Sequence, residues 1–468
     1  MAANKADFID DRQIVNLLDA AKAGLSRDEV GRIIDKAALS DGITPAEAAM
    51  LLHVEDPELL EKIFQTAREI KEQIYGKRLV FFAPLYISDH CINNCVYCGY
   101  RQHNRFERRR LTVYEIGKEV AVLEEMGHKR IALECGEHPK ECPLDYVIEA
   151  LNTIYSVKVE KGNIRRVNVN IAATTVDDYR RLKEYGIGTY ILFQETYHRP
   201  TYSEMHPSGP KRDFDWHTCA FDRAMEGGID DVGSGVLFGL YDYKYEVLAL
   251  LLHALHLEEA FGVGPHTISV PRLRPARGVD LETFPHLVSD ADFKKLIAIF
   301  RLAVPYTGMI LSTRETAEFR DELISVGISQ LSAGSCTGVG GYCRENNEDR
   351  QEQRPQFAVE DRRSLDEVIA GVCRSGYIPS FCTACYRKGR TGDRFMALAK
   401  TGQIQDVCQP NAILTFKEFL LDYASPETRQ IGEEAIKNHL MLIANTKVRQ
   451  VTEKRLALIE QGSRDLYF

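Results

Sequence analysis

The residues with the clearest chemical signal form a short run of cysteines, "CINNCVYC". Its spacing is C-x3-C-x2-C, and its thiols are those of Cys91, Cys95 and Cys98. Cysteine thiolates are ligands for zinc and for iron–sulfur clusters. A zinc site would need a fourth ligand, for which His90 or His103 is near in the sequence. A cubane cluster has four irons, so three cysteines would leave one iron open to a small molecule.

A second group of three cysteines lies near the other end of the chain. Its spacing is C-x2-C-x22-C, and it comprises Cys382, Cys385 and Cys408. A zinc site completed by a distant histidine is again one alternative. We favour an iron–sulfur cluster, because a cluster on the first group would already require the cellular machinery that assembles iron–sulfur clusters. We interpret the other six cysteines as buried or incidental thiols, namely Cys135, Cys142, Cys219, Cys336, Cys343 and Cys373.

The composition limits the class of protein that can carry these cysteines. The 468 residues are 44% hydrophobic and 27% charged, which is typical of a soluble globular chain. The net charge of −9 disfavours a general nucleic-acid binder. No apolar run approaches the roughly 20 residues that span a bilayer, and the acidic, amphipathic N-terminal segment does not resemble an export signal. We therefore predict a cytoplasmic protein whose cysteines are metal ligands, catalytic groups or buried thiols and do not form disulfides.

The cysteines must be positioned by the elements around them, and these alternate in type. Eight short apolar runs are separated by longer helical stretches. The runs are "RLVFFAPLYIS", "KRIALEC", "RVNVNIAA", "TYILFQET", "DVGSGVLFGL", "PHTISVPRL", "GMILSTRE" and "QLSAGS". This alternation predicts an α/β fold, a parallel (β/α)8 barrel of the TIM type, with an open doubly wound sheet as the alternative. Active sites of such barrels lie at the carboxyl ends of the strands, where the first cysteine group falls.

The chain divides into four predicted parts. Residues 1–77 form an N-terminal helical extension, and residues 78–340 form the barrel. Residues 341–362 are polar and charged and form a connector. Residues 363–468 form a mainly helical C-terminal domain that holds the second cysteine group.

The first cysteine motif, with Tyr97 before its last cysteine, resembles the radical S-adenosylmethionine (SAM) superfamily. The resemblance implies a [4Fe–4S] cluster whose open iron is chelated by SAM and whose reduction yields a 5′-deoxyadenosyl radical. The stretch "ECGEHP" resembles the Gly-Gly-Glu motif of that superfamily, with a cysteine in place of the first glycine. Gly136 and Glu137 are therefore expected to receive the SAM amino group. By the same resemblance, the cofactor is expected to contact Tyr97, Glu195 and, more weakly, Asn170.

Four further stretches resemble the aromatic-amino-acid lyase branch of the superfamily, namely "FQETY", "HPSGPKRDF", "PHTISVPRLRPARG" and "ILSTRE". The branch includes the 2-iminoacetate synthase of thiazole synthesis and the HydG-type lyases that mature [FeFe]-hydrogenase. Both cleave the Cα–Cβ bond of L-tyrosine and release p-cresol and dehydroglycine. The planar donor fork of arginine matches a carboxylate, so Arg314 is expected to hold the carboxylate of tyrosine. By resemblance, Ser312 and Ser332 help to hold its carboxylate and amino groups.

The C-terminal cysteines resemble the auxiliary site of the HydG type, which the thiazole enzyme lacks. The resemblance implies an auxiliary [4Fe–4S] cluster with an extra labile iron, a [5Fe–4S] type, and a free cysteine. Dehydroglycine would be converted there to carbon monoxide and cyanide, giving an Fe(CO)2(CN)–cysteine unit for the hydrogenase H-cluster. His266 matches the residue that helps to hold the labile iron. Without the resemblance, a buried, hydrogen-bonded strand histidine is the favoured interpretation.

The expected partners follow from this resemblance. They are L-tyrosine, other hydrogenase maturation proteins, and a reductant such as a ferredoxin or flavodoxin, with no nucleic acid and no membrane. We expect the two cysteine groups at opposite ends of the barrel lumen, joined by a closed channel. Two alternatives stay open, a 2-iminoacetate synthase and a non-enzymatic scaffold that delivers a metal cluster.

Overall fold

The chain begins with a layer of four helices, seen in a computed structural model that describes residues 5–344, 355–400 and 404–468. The helices are α1 (Asp11–Ala23), α2 (Arg27–Ala37), α3 (Pro45–Leu52) and α4 (Pro57–Tyr75). Each begins after a side chain that accepts backbone N–H groups, and α3 and α4 place proline in the first turn. Helix α4 ends at Gly76, whose φ is +62°. Its apolar face packs on the outer helices of the barrel.

Eight parallel strands form the next part of the chain and close into a barrel. They are β1 (Arg78–Ser88), β2 (Arg130–Cys135), β3 (Arg166–Asn170), β4 (Tyr190–Glu195), β5 (Val232–Val236), β6 (Thr267–Ser269), β7 (Gly308–Leu311) and β8 (Gln330–Ser332). Each of the eight predicted runs contains one of them. Strand β1 pairs with β8 through its first half and with β2 through its second half, which closes the barrel. The (β/α)8 prediction is therefore confirmed, and the open doubly wound sheet is wrong.

Helices surround this barrel. They are α5 (Val113–Glu125), α6 (Leu144–Ser156), α7 (Val176–Glu184), α8 (Arg199–Met205), α9 (Phe214–Thr218), α10 (Ala220–Glu226), α11 (Tyr243–Phe261), α12 (Asp290–Ala303) and α13 (Ala317–Val326). Short 3-10 helices occupy Pro210–Arg212, Leu281–Thr283 and Tyr342–Arg344. Helix α5 begins with a capping box, in which Thr112 and Glu115 satisfy each other's backbone N–H groups.

A ninth strand, β9 (Ile378–Ser380), was not predicted. It pairs in parallel with the first residues of β1, at the amino end of the barrel. The sequence of this strand is three residues long and contains a proline, so it carries little strand signal of its own. It forms because the edge of β1 below β2 offers free backbone groups, and Ile378 N donates to the Lys77 carbonyl at 2.8 Å.

The rest of the C-terminal part is helical, as predicted. Its helices are α14 (Leu365–Arg374), α15 (Ala384–Arg387), α16 (Gly392–Lys400), α17 (Ile404–Asp422), α18 (Pro426–Met441) and α19 (Thr446–Glu460). Helix α17 is buried along much of its length and packs on β9, α18 and α19. The predicted connector at 341–362 lies partly outside the described residues, and the predicted domain boundaries remain predictions. No helix within the described ranges has the length and apolar character that crossing a membrane requires.

Candidate active site and auxiliary cysteine site

A cavity of about 220 Å³ lies at the carboxyl ends of the barrel strands. Every residue that the sequence assigns to the SAM cluster, to SAM or to the substrate lines this cavity. They are Cys91, Cys95, Tyr97, Cys98, Gly136, Glu137, Asn170, Glu195, Ser312, Arg314 and Ser332. Six different strands deliver them, namely β1, β2, β3, β4, β7 and β8. The structure therefore brings together groups that are spread over about 240 positions of the chain.

The three thiols of the first group lie within electrostatic reach of one another. Burial raises the pKa of Cys91 and Cys95, and it raises that of Cys98 to about 11, with a further rise from the neighbouring thiol. Such thiols become thiolates only when a metal supplies compensating positive charge. The donor set therefore fits the iron–sulfur cluster that the motif implies.

The histidines that could have completed a zinc site are engaged elsewhere. His103 Nδ1 is 3.0 Å from Asn94 Nδ2, and the ring of His90 packs edge-on against His138. Neither histidine lines the cavity. Within the described residues, no three His, Cys, Asp or Glu side chains gather around a point that could hold one metal ion. The three thiols all line the cavity, and cysteine thiolates are the usual ligands of an iron–sulfur cluster.

The loop after β2 is fastened to the cysteine loop. Gly136 N donates to the Ser88 carbonyl at 3.0 Å. A Cβ at position 136 would lie 2.4 Å from the His90 carbonyl oxygen, so only glycine fits there. Glu137 accepts a hydrogen bond of 2.6 Å from Asn93 Nδ2. These contacts hold the glycine and the carboxylate beside the cysteines.

Glu195 reaches the cavity through an irregularity at the end of β4. Its φ is +70°, and the register with β5 shifts between Phe193 and Glu195. The Lys211 ammonium lies 2.8 Å from Glu195 Oε1. Burial alone would lower the pKa of Lys211, but Glu195 and Cys95 outweigh it and the pKa is raised. A hydrogen bond orients Tyr97, since its hydroxyl lies 2.8 Å from His206 Nε2.

The predicted substrate residues occupy the β7–β8 side of the cavity. The Arg314 guanidinium stacks on the ring of Phe357 at 3.3 Å from its centroid. Among the described residues no carboxylate forms an ion pair with it, because the adjacent Glu315 is bound by other arginines. Ser312 Oγ is buried and lacks a hydrogen-bond partner within the same described part of the chain. Ser332 lies at the end of β8, and its carbonyl accepts a hydrogen bond of 2.5 Å from Arg320.

Two charged residues of this cavity were missed by the sequence reasoning, Lys211 and Glu134. Lys211 stands in "HPSGPKRDF", a stretch that was recognised without a role for its lysine. Glu134 lies near the end of β2, after the apolar residues 131–133. A charge inside a buried strand is the signal that could have found it.

A smaller cavity, of about 80 Å³, lies at the amino ends of the strands. It is lined by Cys382, Cys385, Cys408 and His266. Strand β9 ends two residues before Cys382, and Cys408 is the fifth residue of α17. The Cys385 and Cys408 thiols are hydrogen-bonded, which lowers the pKa of Cys408 to about 6 and raises that of Cys385. The ring of His266 packs on that of Phe395, with 4.6 Å between the centroids.

Three arginines also line this second cavity, Arg78, Arg130 and Arg390. Within the described ranges none of them pairs with a carboxylate side chain. Arg130 donates to the Cys382 carbonyl at 2.9 Å. Their positive charge favours ionised thiolates, so these surroundings also fit an anionic iron–sulfur cluster.

The two cavities lie at opposite ends of one lumen. On each of four strands, two residues that lie two positions apart line different cavities. The earlier residue lines the lower cavity and the later residue lines the upper one. These pairs are Val80 and Phe82, Arg130 and Ala132, Gly308 and Ile310, and Gln330 and Ser332. Two strand residues span about 7 Å, so little more than one layer of side chains separates the cavities.

Comparisons with known proteins agree with this arrangement. Residues 85–254 match the Radical SAM superfamily, and residues 269–378 match the Biotin and Thiamin Synthesis associated domain. The 2-iminoacetate synthase of Escherichia coli (strain K12) is 32% identical over 347 residues, which cover 74% of this chain and 89% of that enzyme. About a quarter of the chain therefore has no counterpart in that match. The barrel and its three-cysteine cavity thus define a radical SAM enzyme, with a [4Fe–4S] cluster and SAM as its implied cofactors.

Two solved structures extend the similarity to nearly the whole chain. A HydG described as a maturase of the [FeFe]-hydrogenase is 61% identical, with a TM-score of 0.96 and coverage of 99% of this chain and all of that one. The HydG of Carboxydothermus hydrogenoformans is 40% identical, with a TM-score of 0.82 and coverage of 95% and 99%. The chain belongs to the HydG family of radical SAM maturases of [FeFe]-hydrogenase.

Proposed function

We propose that the chain cleaves the Cα–Cβ bond of L-tyrosine to p-cresol and dehydroglycine, and converts dehydroglycine to carbon monoxide and cyanide at its second cysteine site. The product is an Fe(CO)2(CN)–cysteine unit for the hydrogenase H-cluster. The observation that carries the proposal is the pair of three-cysteine sites at the two ends of one barrel lumen. Family membership and near-complete coverage by HydG structures support it.

The residues at the upper end have separate tasks. Cys91, Cys95 and Cys98 would hold a [4Fe–4S] cluster, which when bound and reduced supplies the electron that cleaves SAM to a 5′-deoxyadenosyl radical. Glu137 accepts the amino group of SAM, and Gly136 leaves room for it. The upper end thereby binds and orients the radical source.

The substrate lies across the cavity from these groups. Arg314 binds the carboxylate of tyrosine with two parallel N–H donors. Its stacking on Phe357 holds the plane of the guanidinium in one orientation. Ser312 has a free hydroxyl to donate to the same carboxylate. Ser332 accepts from the amino group. Because these groups lie on the strand ends, they hold the Cα–Cβ bond in a fixed position near SAM.

The lower end of the barrel lumen receives dehydroglycine. Cys382, Cys385 and Cys408 would hold an auxiliary [4Fe–4S] cluster, which when bound supplies the attachment point for a labile iron and a free cysteine. His266 would offer a neutral nitrogen ligand to that iron, whose chemistry would be the binding of carbon monoxide and cyanide. The iron leaves with the product and is therefore a substrate of the protein. The acceptors are other hydrogenase maturation proteins, the reductant is a ferredoxin or flavodoxin, and the location is the cytoplasm.

The test is anaerobic reconstitution with tyrosine, SAM and reductant. We expect cresol, carbon monoxide and cyanide from the wild type. Cys382→Ala should keep cresol formation and lose both diatomics, whereas the control Cys373→Ala, at a buried cysteine outside both cavities, should keep all three.

The second candidate, a 2-iminoacetate synthase, has in its favour the 32% identity to the E. coli enzyme. Cresol without carbon monoxide or cyanide from the wild type would establish it in place of the maturase. About two zinc ions per chain, without iron–sulfur absorption, would contradict both and support a scaffold.

A further inference from the structure

We propose that Glu134 binds the α-ammonium group of the substrate across the cavity from Arg314, so that the site recognises both charges of a zwitterionic amino acid. The inference rests on the proposed function, which supplies an amino acid as the substrate. It makes Glu134 a specificity-determining residue for amino acids over their deaminated analogues.

Strand pairing places Glu134 in the substrate cavity. It lies on β2 two positions before Gly136, and it lines the same cavity as Arg314. Its register partners are Tyr86 on β1 and Asn170 on β3, which also line the cavity. Side chains at alternate strand positions share one face, so Glu134 faces the lumen just below the level of Gly136.

The distribution of charge indicates what Glu134 binds. The two other carboxylates of the cavity already have partners, since Glu195 pairs with Lys211 at 2.8 Å and Glu137 accepts a hydrogen bond of 2.6 Å. In the described part of the chain, neither Glu134 nor Arg314 forms an ion pair with any other residue. The cavity therefore presents one carboxylate and one guanidinium, each without a fixed counter-charge.

An ionised group in a buried cavity is costly without a partner, and a bound zwitterion would supply a partner to both groups. The Asn170 side chain is the register neighbour of Glu134 and lowers its pKa as a hydrogen-bond donor, and a carboxylate has lone pairs for a second donor. Burial raises the pKa of Glu134 to about 8, against the opposing effects of Arg314 and Asn170. The neighbouring Tyr86 and Cys135 carry no charge at neutral pH, because burial raises the pKa of Tyr86, and a hydrogen bond with Cys142 together with burial raises that of Cys135. A substrate ammonium at this position would favour the ionised carboxylate.

The experiment measures binding, without turnover, to cluster-reconstituted protein with SAM and no reductant. The ligands are L-tyrosine, 3-(4-hydroxyphenyl)propanoate, which lacks the ammonium group, and tyramine, which lacks the carboxylate. We expect the wild type to bind tyrosine at least about tenfold more tightly than either analogue, because each lost charge removes a charge-assisted hydrogen bond. Glu134→Gln should lose the preference over the propanoate and keep the preference over tyramine. Arg314→Gln should show the reverse pattern.

SAM affinity is the control for folding, and it should be unchanged in Glu134→Gln. A tenfold preference for tyrosine over the propanoate in Glu134→Gln would overturn the inference and leave the proposed function intact. A parallel loss of SAM affinity would also overturn it, because the effect would then lie in the fold. A wild type that does not bind tyrosine would refute the proposed function itself.

Discussion

At the scale of single residues, the upper cavity depends on positions where one side-chain type fits. Gly136 is such a position, because the His90 carbonyl occupies the space of a Cβ. Arg314 is another, because its planar group both stacks on Phe357 and presents its donors to a ligand. Ser312 keeps a buried hydroxyl that no described residue satisfies. Such unsatisfied groups are costly unless a ligand completes them.

Gly136→Ala tests whether only glycine fits at position 136. We expect SAM affinity to fall at least about tenfold, since a 2.4 Å contact must push the Glu137 loop away from the cysteines. Equilibrium binding of SAM to the reconstituted protein measures it. The control is Gly31→Ala, in the middle of α2, where a Cβ meets nothing within 4 Å. It should leave SAM affinity unchanged and raise stability by up to ~1 kcal/mol. Equal SAM affinities in the two variants would contradict the steric argument.

At the scale of elements, the second cysteine site depends on the short strand β9. Its pairing with β1 fixes Cys382 beneath the barrel, and Phe381 N donates to Thr415 Oγ1 of α17 at 3.2 Å. Helix α17 also carries Cys408. One strand and one helix thus bring together thiols that are 26 positions apart. The same register aligns the site with the lumen above it.

Ile378→Pro tests this role of β9. Proline removes the N–H that bonds to the Lys77 carbonyl, so the strand should detach from β1. We expect the iron content of the reconstituted protein to fall by about half, because one of two clusters is lost. The paramagnetic resonance signal that responds to SAM should persist. Ile378→Val keeps the N–H and should keep both clusters. Full iron content in the proline variant would show that β9 does not position the auxiliary site.

At the scale of the whole molecule, the barrel places two reactive sites at the ends of one lumen. Val80 lines the lower cavity and Phe82, two residues on, lines the upper one. A small fragment released by the proposed reaction above would have to cross little more than one layer of side chains to reach the site below. An enclosed path would also keep the radical and the diatomic products from water.

Val80→Phe tests the predicted channel, because Val80 lines only the lower cavity. The phenylalanine ring is larger than the valine side chain and should fill the lumen without touching the substrate site. We expect cresol formation within about twofold of the wild type and a loss of carbon monoxide and cyanide of at least tenfold, at a cost in stability of about 1–3 kcal/mol. Val80→Ala is the control and should keep all three products. A matching fall in cresol, carbon monoxide and cyanide would argue against a separate path through the lumen.

The sequence determined the local features of this protein. The cysteine spacings, the eight apolar strands and the capping box of α5 depend on neighbouring residues, and each was predictable. Strand β9 was not, since it forms only when the edge of β1 is present. The barrel closure also decided which of many polar residues share a cavity. In the sequence Glu134 is only a charged residue after a short apolar stretch, and strand pairing sets it level with Asn170, in the cavity that Arg314 also lines. Contacts between distant strands depend on register and closure, which no single stretch of sequence contains.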